Sequence, residues 1–201
     1  VTAPSPLAIV PVKPPADAKR RLSPAVPVSL LPSLVRAVAE HVIEVCESGG
    51  AEVAVIAGDA EVARWADEIG VGVIPDPQID LNAAIAAGVD LATAAGRPWC
   101  AVHADLPLLT PHDVATFLSL IRPGRAVLAP SRDGGTNLMG GLGHLPLRYG
   151  PGSFSRHLAM AADVERAVVV RIGTAVELDT PTDLAAVLRH PRGSWIRAHL
   201  G

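Results

Sequence analysis

The sequence predicts an α/β fold, with a mostly parallel sheet covered by helices on both faces in a three-layer arrangement. Three observations predict it. Six apolar runs with strand character recur along the chain, most of them nearly continuous rather than alternating, as in strands buried on both faces. Stretches of helical length separate these runs, so the order is β-α-β-α through residue 130, which calls for right-handed crossovers. The chain of 201 residues, 49% hydrophobic and 18% charged, holds enough apolar material for a substantial core, and residues 1–201 are expected to form one domain.

The first run, 7–12, is apolar at every position. A helix is expected over 29–46, with Ser29 as its N-cap. Strand 53–57, helix 59–69, strand 72–74 and helix 81–95 follow. Strand 99–104 leads to helix 111–121, where Thr110 before Pro111 combines a cap with a proline at the first helical position. Strand 126–129 closes the regular alternation. The stretch 131–152 then breaks it with Gly134, Gly135, Gly140, Gly141, Gly143, Gly150 and Gly152, and reads as a functional loop and hairpin. Helix 153–162, strand 167–172 and helix 180–189 complete the set, the last opened by the same signal at Thr180-Pro181. The 19 prolines are dispersed and mark neither a low-complexity segment nor a second domain.

Composition excludes several classes. Lys plus Arg is 17 against 20 Asp plus Glu, a net charge of −3, so bulk attraction to nucleic acid is not expected. No uninterrupted apolar run approaches the roughly 18 residues of a membrane span, and the N-terminus lacks the pattern of a secretory signal. Cys46 and Cys100 are too few and too far apart for a disulfide scaffold or a structural zinc site. They read as small buried hydrophobes in a cytoplasmic protein. The apolar surplus fits either a large core or a homodimer interface.

Four groups of residues bear on chemistry. In Val102-His103-Ala104-Asp105-Leu106-Pro107 an apolar strand ends on a carboxylate, at the sheet edge where open α/β folds bind ligands; a turn former or a helix cap is the competing role of Asp105. His103 points opposite to Ala104 and reads as a core or supporting residue. Glu177 and Asp179, two apart, share a face if the segment is extended. Such like charges call for a divalent cation, a lysine or an arginine between them, unless Asp179 merely caps the next helix. Together with Asp105 they resemble a hard-oxygen Mg²⁺ site that takes phosphate oxygens. Lys13, Lys19, Arg20 and Arg21 follow the first strand, where phosphates are often held, yet neither G-x-G-x-x-G nor G-x-x-x-x-G-K-[ST] occurs, which disfavours a dinucleotide-binding dehydrogenase and a P-loop hydrolase. Cationic side chains would have to replace backbone amides there. Gly150 permits close backbone approach, and Ser153 opens a helix whose free N–H groups suit an anion or simply take an N-cap.

These pieces, in this order, resemble the 2-phospho-L-lactate guanylyltransferase family, whose bacterial members act on phosphoenolpyruvate in making coenzyme F-420. The matching residues are Ile9-Val10-Pro11-Val12-Lys13, Ala18-Lys19, Arg21-Leu22-Ser23, Leu81-Asn82, Asp105-Leu106-Pro107, the stretch from Ala129 to Asn137, Tyr149-Gly150-Pro151-Gly152-Ser153-Phe154 and Asp179-Thr180-Pro181-Thr182-Asp183-Leu184. The resemblance implies a GT-A-like, Rossmann-like nucleotide-diphospho-sugar transferase fold, and transfer of GMP from GTP to the phosphate of a three-carbon acid with release of pyrophosphate. It implies that Asp105 and Asp179 bind Mg²⁺, with Glu177 where the family carries Asp. It also implies that Lys13, Lys19 and Arg21 face the triphosphate, Asn82 the guanine or ribose, and Thr136, Gly150 and Ser153 the acid. Arg20 stands where a small residue is expected.

The physical reading agrees with that chemistry. A phosphate oxygen is the nucleophile, and its second pKa of about 6 leaves it ionised near neutrality, so no general base is required. The work is bringing two anions together, which cations do by positioning and neutralisation. Competing readings are a molybdopterin or sugar-phosphate nucleotidyltransferase, disfavoured by Pro14-Pro15 where such enzymes carry glycines, and a non-catalytic binding subunit, disfavoured by the retained acidic positions.

Overall fold

The computed structural model describes residues 4–14, 19–160 and 163–201. Seven strands form one sheet in the order β3-β2-β1-β4-β6-β5-β7. They are β1 (Leu7–Val12), β2 (Glu52–Ala57), β3 (Gly72–Pro75), β4 (Pro98–Val102), β5 (Arg125–Pro130), β6 (Thr136–Leu142) and β7 (Glu165–Val168). Strands β1, β2, β3 and β4 are mutually parallel, and β7 is parallel to β5. Strand β6 runs antiparallel between β4 and β5. The chain passes from β1 outward to β2 and β3, then returns to add β4 on β1's other side. The reversal of direction falls between β1 and β4, where open sheets leave a crevice beyond the strand ends.

The strands alternate between two cores. From β1, Ala8, Val10 and Val12 face one, and Leu7 and Ile9 face the other. Helices α1 (Leu31–Ser48), α2 (Ala60–Glu68) and α4 (Pro111–Ser119) fill the first with residues such as Val42, Ile43, Trp65 and Phe117. Helix α3 (Leu81–Ala94) covers the second with Ala84, Ile85 and Val89. Its small residues let it lie close to the sheet: a Cβ on Gly88 would stand 2.7 Å from an Ile9 methyl. Helices α5 (Ser153–Leu158), α6 (Ile172–Ala175) and α7 (Pro181–Arg189) complete the set, and α7 packs Leu184 and Val187 on Leu31, Leu34 and Val38 of α1 in a third cluster. The three layers are those expected.

Several boundaries differ for stated reasons. Ser29 lies inside a 3-10 turn, Val28–Leu30, and α1 begins after Leu30 with a proline in its first turn and no side-chain cap. Strand β4 stops at Val102, so His103 and Ala104 are in the turn beyond it. The hairpin expected in 131–152 exists, but Gly140 and Gly141 lie within strand β6 rather than in a loop. A Cβ on Gly140 would come within 2.7 Å of the Trp99 carbonyl oxygen and 2.8 Å of the Phe117 ring. Glycine there answers tight packing in a buried strand rather than a turn. Strand β7 spans Glu165–Val168, not 167–172, because Ile172 already starts α6. Helix α5 ends at Leu158; the expected extension to residue 162 includes 161 and 162, which are outside the described residues. Both cysteines are buried and free, as expected, and burial pushes the Cys46 thiol up to about 12. Among the described residues no helix is long and apolar enough to cross a membrane.

Candidate active site

Asp105 follows β4, and the Glu177-Leu178-Asp179 segment runs beside it because the Leu178 N–H donates to the Asp105 carbonyl at 2.9 Å. Leu178 is buried in the core below, which leaves its neighbours Glu177 and Asp179 on the opposite side, as alternation in an extended segment requires. Helix capping does not employ Asp179. Thr180 caps α7 and completes a capping box with Asp183, so the Asp179 carboxylate is turned elsewhere.

It is turned to cations. Lys19 Nζ bonds Asp105 Oδ2 and also reaches Asp179 Oδ1 at 3.1 Å, and Arg21 reaches Asp179 Oδ2 at 3.1 Å. One ammonium thus bridges the two aspartates, and residues 105 and 179 stand at one mouth of the sheet. Burial works against the Lys19 charge, but Asp105 and then Asp179 outweigh it and hold its pKa above the ordinary lysine value. For Asp105 burial pushes upward, while the Lys19 and His103 charges and the Lys19 hydrogen bond prevail and hold the carboxyl below its usual range. Lys19 has φ 60°, in the left-handed region, just before a 3-10 turn, Arg20–Leu22, whose Leu22 is buried. That turn anchors the basic segment; residues 15–18 of the same loop are outside the described residues.

A cavity of about 320 Å³ opens here, lined by Lys13, Lys19, Asp105 and Asp179 over an apolar floor that includes Leu34 and Leu81. Its length along the mouth joins the end of β1 to the end of β4. Glu177 stands next to it. Ligand atoms of His103, Asp105 and Glu177 lie within 4.8 Å of one another, and His103 Nδ1 is 3.8 Å from Glu177 Oε1. Asp105 Oδ1 and His103 Nε2 are buried with no hydrogen-bond partner. Hard carboxylate oxygens gathered around an orphaned acceptor fit a divalent cation.

A second group lies outside that cavity's lining. Thr136 and Ser153 are buried, and Ser153 Oγ donates to Thr136 Oγ1 at 3.2 Å. His157, one helical turn after Ser153, contacts Thr136 Oγ1 through Nδ1 at 2.9 Å. Gly150 (φ 125°) and Gly152 (φ 67°) both need the left-handed freedom of glycine. The reading of Ser153 as an open helix end is corrected. Its N–H donates to the Gly150 carbonyl and the Phe154 N–H to the Gly134 carbonyl, so these amides serve the loop rather than a free anion. Asn82 does not line the cavity either; its Oδ1 accepts the Tyr149 N–H at 2.7 Å and so holds the strand of loop before Gly150. The two groups are joined by rings: His103 lies 5.9 Å from Tyr149, and Tyr149 lies 5.0 Å from His157.

Sequence reasoning placed Lys13, Lys19, Arg21, Asp105, Glu177 and Asp179 together, read His103 as a core or supporting residue, and missed His157. His103 stands beside Asp105 and Glu177 because the chain turns just after β4. His157 is four residues after Ser153 in a helix, hence on the same face, which was visible.

A family model described as "Guanylyl transferase CofC like" matches residues 7–201. The phosphoenolpyruvate guanylyltransferase of Rubrobacter xylanophilus is similar at 35% identity over 188 residues, covering 89% of this chain and 91% of its own. The 2-phospho-L-lactate guanylyltransferase of Methanothermobacter thermautotrophicus is similar at 29% identity over 197 residues, covering 96% of this chain and 88% of its own. A solved structure from Desulfovibrio desulfuricans, assigned as a nucleotide-diphospho-sugar transferase, has a TM-score of 0.72 at 18% identity, with 96% of this chain and 94% of that one covered, and shares the fold.

Proposed function

The chain belongs to the CofC-like guanylyl transferase family, and on that footing we propose that it moves the guanylyl group of GTP onto the phosphate of phosphoenolpyruvate or 2-phospho-L-lactate, in coenzyme F-420 biosynthesis. A bond forms between an oxygen of the acid's phosphate and the α-phosphorus of GTP. The α–β bridge bond breaks, and pyrophosphate leaves. The observation that carries this reading is the meeting of Asp105 and Asp179 with Lys19 and Arg21 at the mouth between β1 and β4, with Glu177 beside Asp105 and His103.

Asp105, Glu177 and Asp179 would hold Mg²⁺, which when bound supplies charge neutralisation for phosphate oxygens. Lys13, Lys19 and Arg21 face the triphosphate and stabilise the charge that builds on the departing pyrophosphate. Lys19 keeps the acidic pair neutralised until phosphate oxygens arrive to share its three protons. The apolar floor beneath the cavity removes water and strengthens each of these attractions. Thr136, Gly150 and Ser153 hold the acid through the Gly150 backbone and the hydroxyl pair. Asn82, expected at the guanine or ribose, supports the acid side instead by fixing the Tyr149–Gly150 backbone. The nucleophile is ionised already, which suits a site whose histidines are not aimed at a proton to be removed.

The test is to incubate the protein with GTP, Mg²⁺ and each of phosphoenolpyruvate, 2-phospholactate and 3-phosphoglycerate and to follow pyrophosphate. Release with one of them supports the reading and names the acid. No release with any of the three overturns it.

A further inference from the structure

His157 is buried, and both of its ring nitrogens are engaged, which fixes its proton. Its Nε2 faces the Arg148 backbone N–H at 2.9 Å. A backbone N–H can only donate, so Nε2 is bare and the single imidazole proton is on Nδ1. Nδ1–H therefore donates to Thr136 Oγ1 at 2.9 Å. The reverse arrangement, with the threonine donating, would put two N–H groups against each other at Arg148.

A count of protons follows. His157 Nδ1–H, Thr136 Oγ1–H and Ser153 Oγ–H are three donors, and the trio contains two internal hydrogen bonds. Whichever way the two hydroxyls are turned, one hydroxyl proton is left over, and no acceptor for it is found among the described residues. A buried donor without an acceptor is costly, and a ligand oxygen relieves the cost. The same imidazole also pins the Arg148 N–H, and the Arg148 carbonyl, in the next peptide, accepts from Arg156 Nε at 3.2 Å and Nη2 at 3.0 Å. Two residues later comes Gly150. One side chain therefore ties the start of β6 to the 148–150 loop.

We infer that His157 is a positioning residue for the acid substrate: by donating to Thr136 it leaves the Thr136–Ser153 pair with one hydroxyl proton to give to an anionic oxygen, and it fixes the loop that carries Gly150. This rests on the proposed function in placing the acid at those residues. It names a residue outside the motifs that the sequence resemblance supplied. The imidazole does not touch the substrate; it acts through the hydroxyl and the loop.

The kinetic test uses His157→Phe, which removes donor and acceptor, and His157→Gln, whose amide carries one of each. His157→Phe is expected to raise the KM for the acid about tenfold, the scale of one orphaned hydrogen bond, while the KM for GTP stays within about twofold. His157→Gln is expected to recover most of the loss. In a Thr136→Val background, His157→Phe should add little to the acid KM, since the hydroxyl it orients is gone. An acid KM unchanged in His157→Phe, or both KM values rising together without recovery in His157→Gln, overturns the inference. Nitrogen NMR of the wild-type imidazole is independent of turnover: the Nδ1–H tautomer is expected at pH 7.5, and an Nε2–H tautomer overturns the inference even if the variants do not fold. An active wild type with unchanged His157→Phe kinetics removes this inference alone. A wild type inactive with all three acids removes the proposed function, and the substrate role of His157 with it.

Discussion

Replacing Lys19 by methionine tests the charge arrangement at the mouth of the sheet. The side chain keeps its length and loses its ammonium, so the apolar stem can still pack. In the native protein Lys19 is 16% exposed and bridges Asp105 and Asp179, whose side chains are 24% and 32% exposed. Breaking a fully buried pair costs about 3–5 kcal/mol because an uncompensated charge remains. Here the carboxylates keep partial access to water and Arg21 still reaches Asp179, so about 2 kcal/mol is the better figure. For a chain of this size that is a fall in Tm of about 4–8 °C. The assay is thermal unfolding in EDTA and again with Mg²⁺. In EDTA the variant should melt lower than the native protein. With Mg²⁺ it should recover more than the native protein does, because the cation no longer competes with Lys19 for the same oxygens. Equal Tm values in EDTA, or an equal Mg²⁺-induced rise in both proteins, would refute the reasoning.

Three further outcomes are expected. Asp105→Asn should abolish Mg²⁺-dependent GTP binding in isothermal titration, since it removes both a hard ligand and half of the Lys19 bridge; an affinity equal to that of the native protein would count against the site. Burial, followed by the nearby Arg156 and Arg148 charges, pushes His157 down to about 4, so the unfolded chain takes up a proton below its ordinary value of 6.5 while the folded one does not. Stability from this group is complete above 6.5 and is lost as pH falls toward 4, by about 3 kcal/mol in all, and denaturant titrations against pH should show a shallower fall for His157→Gln. Gly140→Ala should cost about 3 kcal/mol by urea unfolding, because its Cβ would meet the Trp99 carbonyl oxygen at 2.7 Å and backbone cannot step aside as a side chain can.

How far the sequence carried depends on what kind of force shaped each part. Strands such as β1 are buried on both faces, so their apolar continuity was legible, and Thr110 and Thr180 announced helix starts that the structure keeps. Strand β6 was not legible, because Gly140 and Gly141 answer contacts from Trp99, Phe117 and Leu145, residues remote or unpatterned in sequence. Strand ends and spacing point to Asp105 and the 177–179 pair, and their shared hard-oxygen chemistry groups them into one expected site. Their adjacency depends on one backbone bond between Leu178 and Asp105, which no pattern encodes. Ser153 was read from its place at a helix start, whereas its surroundings give it a hydroxyl partner and an amide bonded to Gly150. Local rules describe an isolated helix end, and this one is closed by its own loop.

The charge balance of the mouth explains why these parts depend on one another. Asp105, Glu177 and Asp179 carry three formal negative charges, and Lys13, Lys19 and Arg21 carry three positive ones. Counted on these six side chains, the mouth carries no net formal charge with which to draw a polyanion out of water. Its lysine and arginine are partly spent on its own acids, and their release requires something else to satisfy those acids. A divalent cation held there as proposed would do so, turning the mouth net positive and freeing the Lys19 ammonium for phosphate oxygens. Nucleotide affinity should therefore rise with the metal by more than the metal's own contacts supply, since the bound ion also returns Lys19 to the triphosphate.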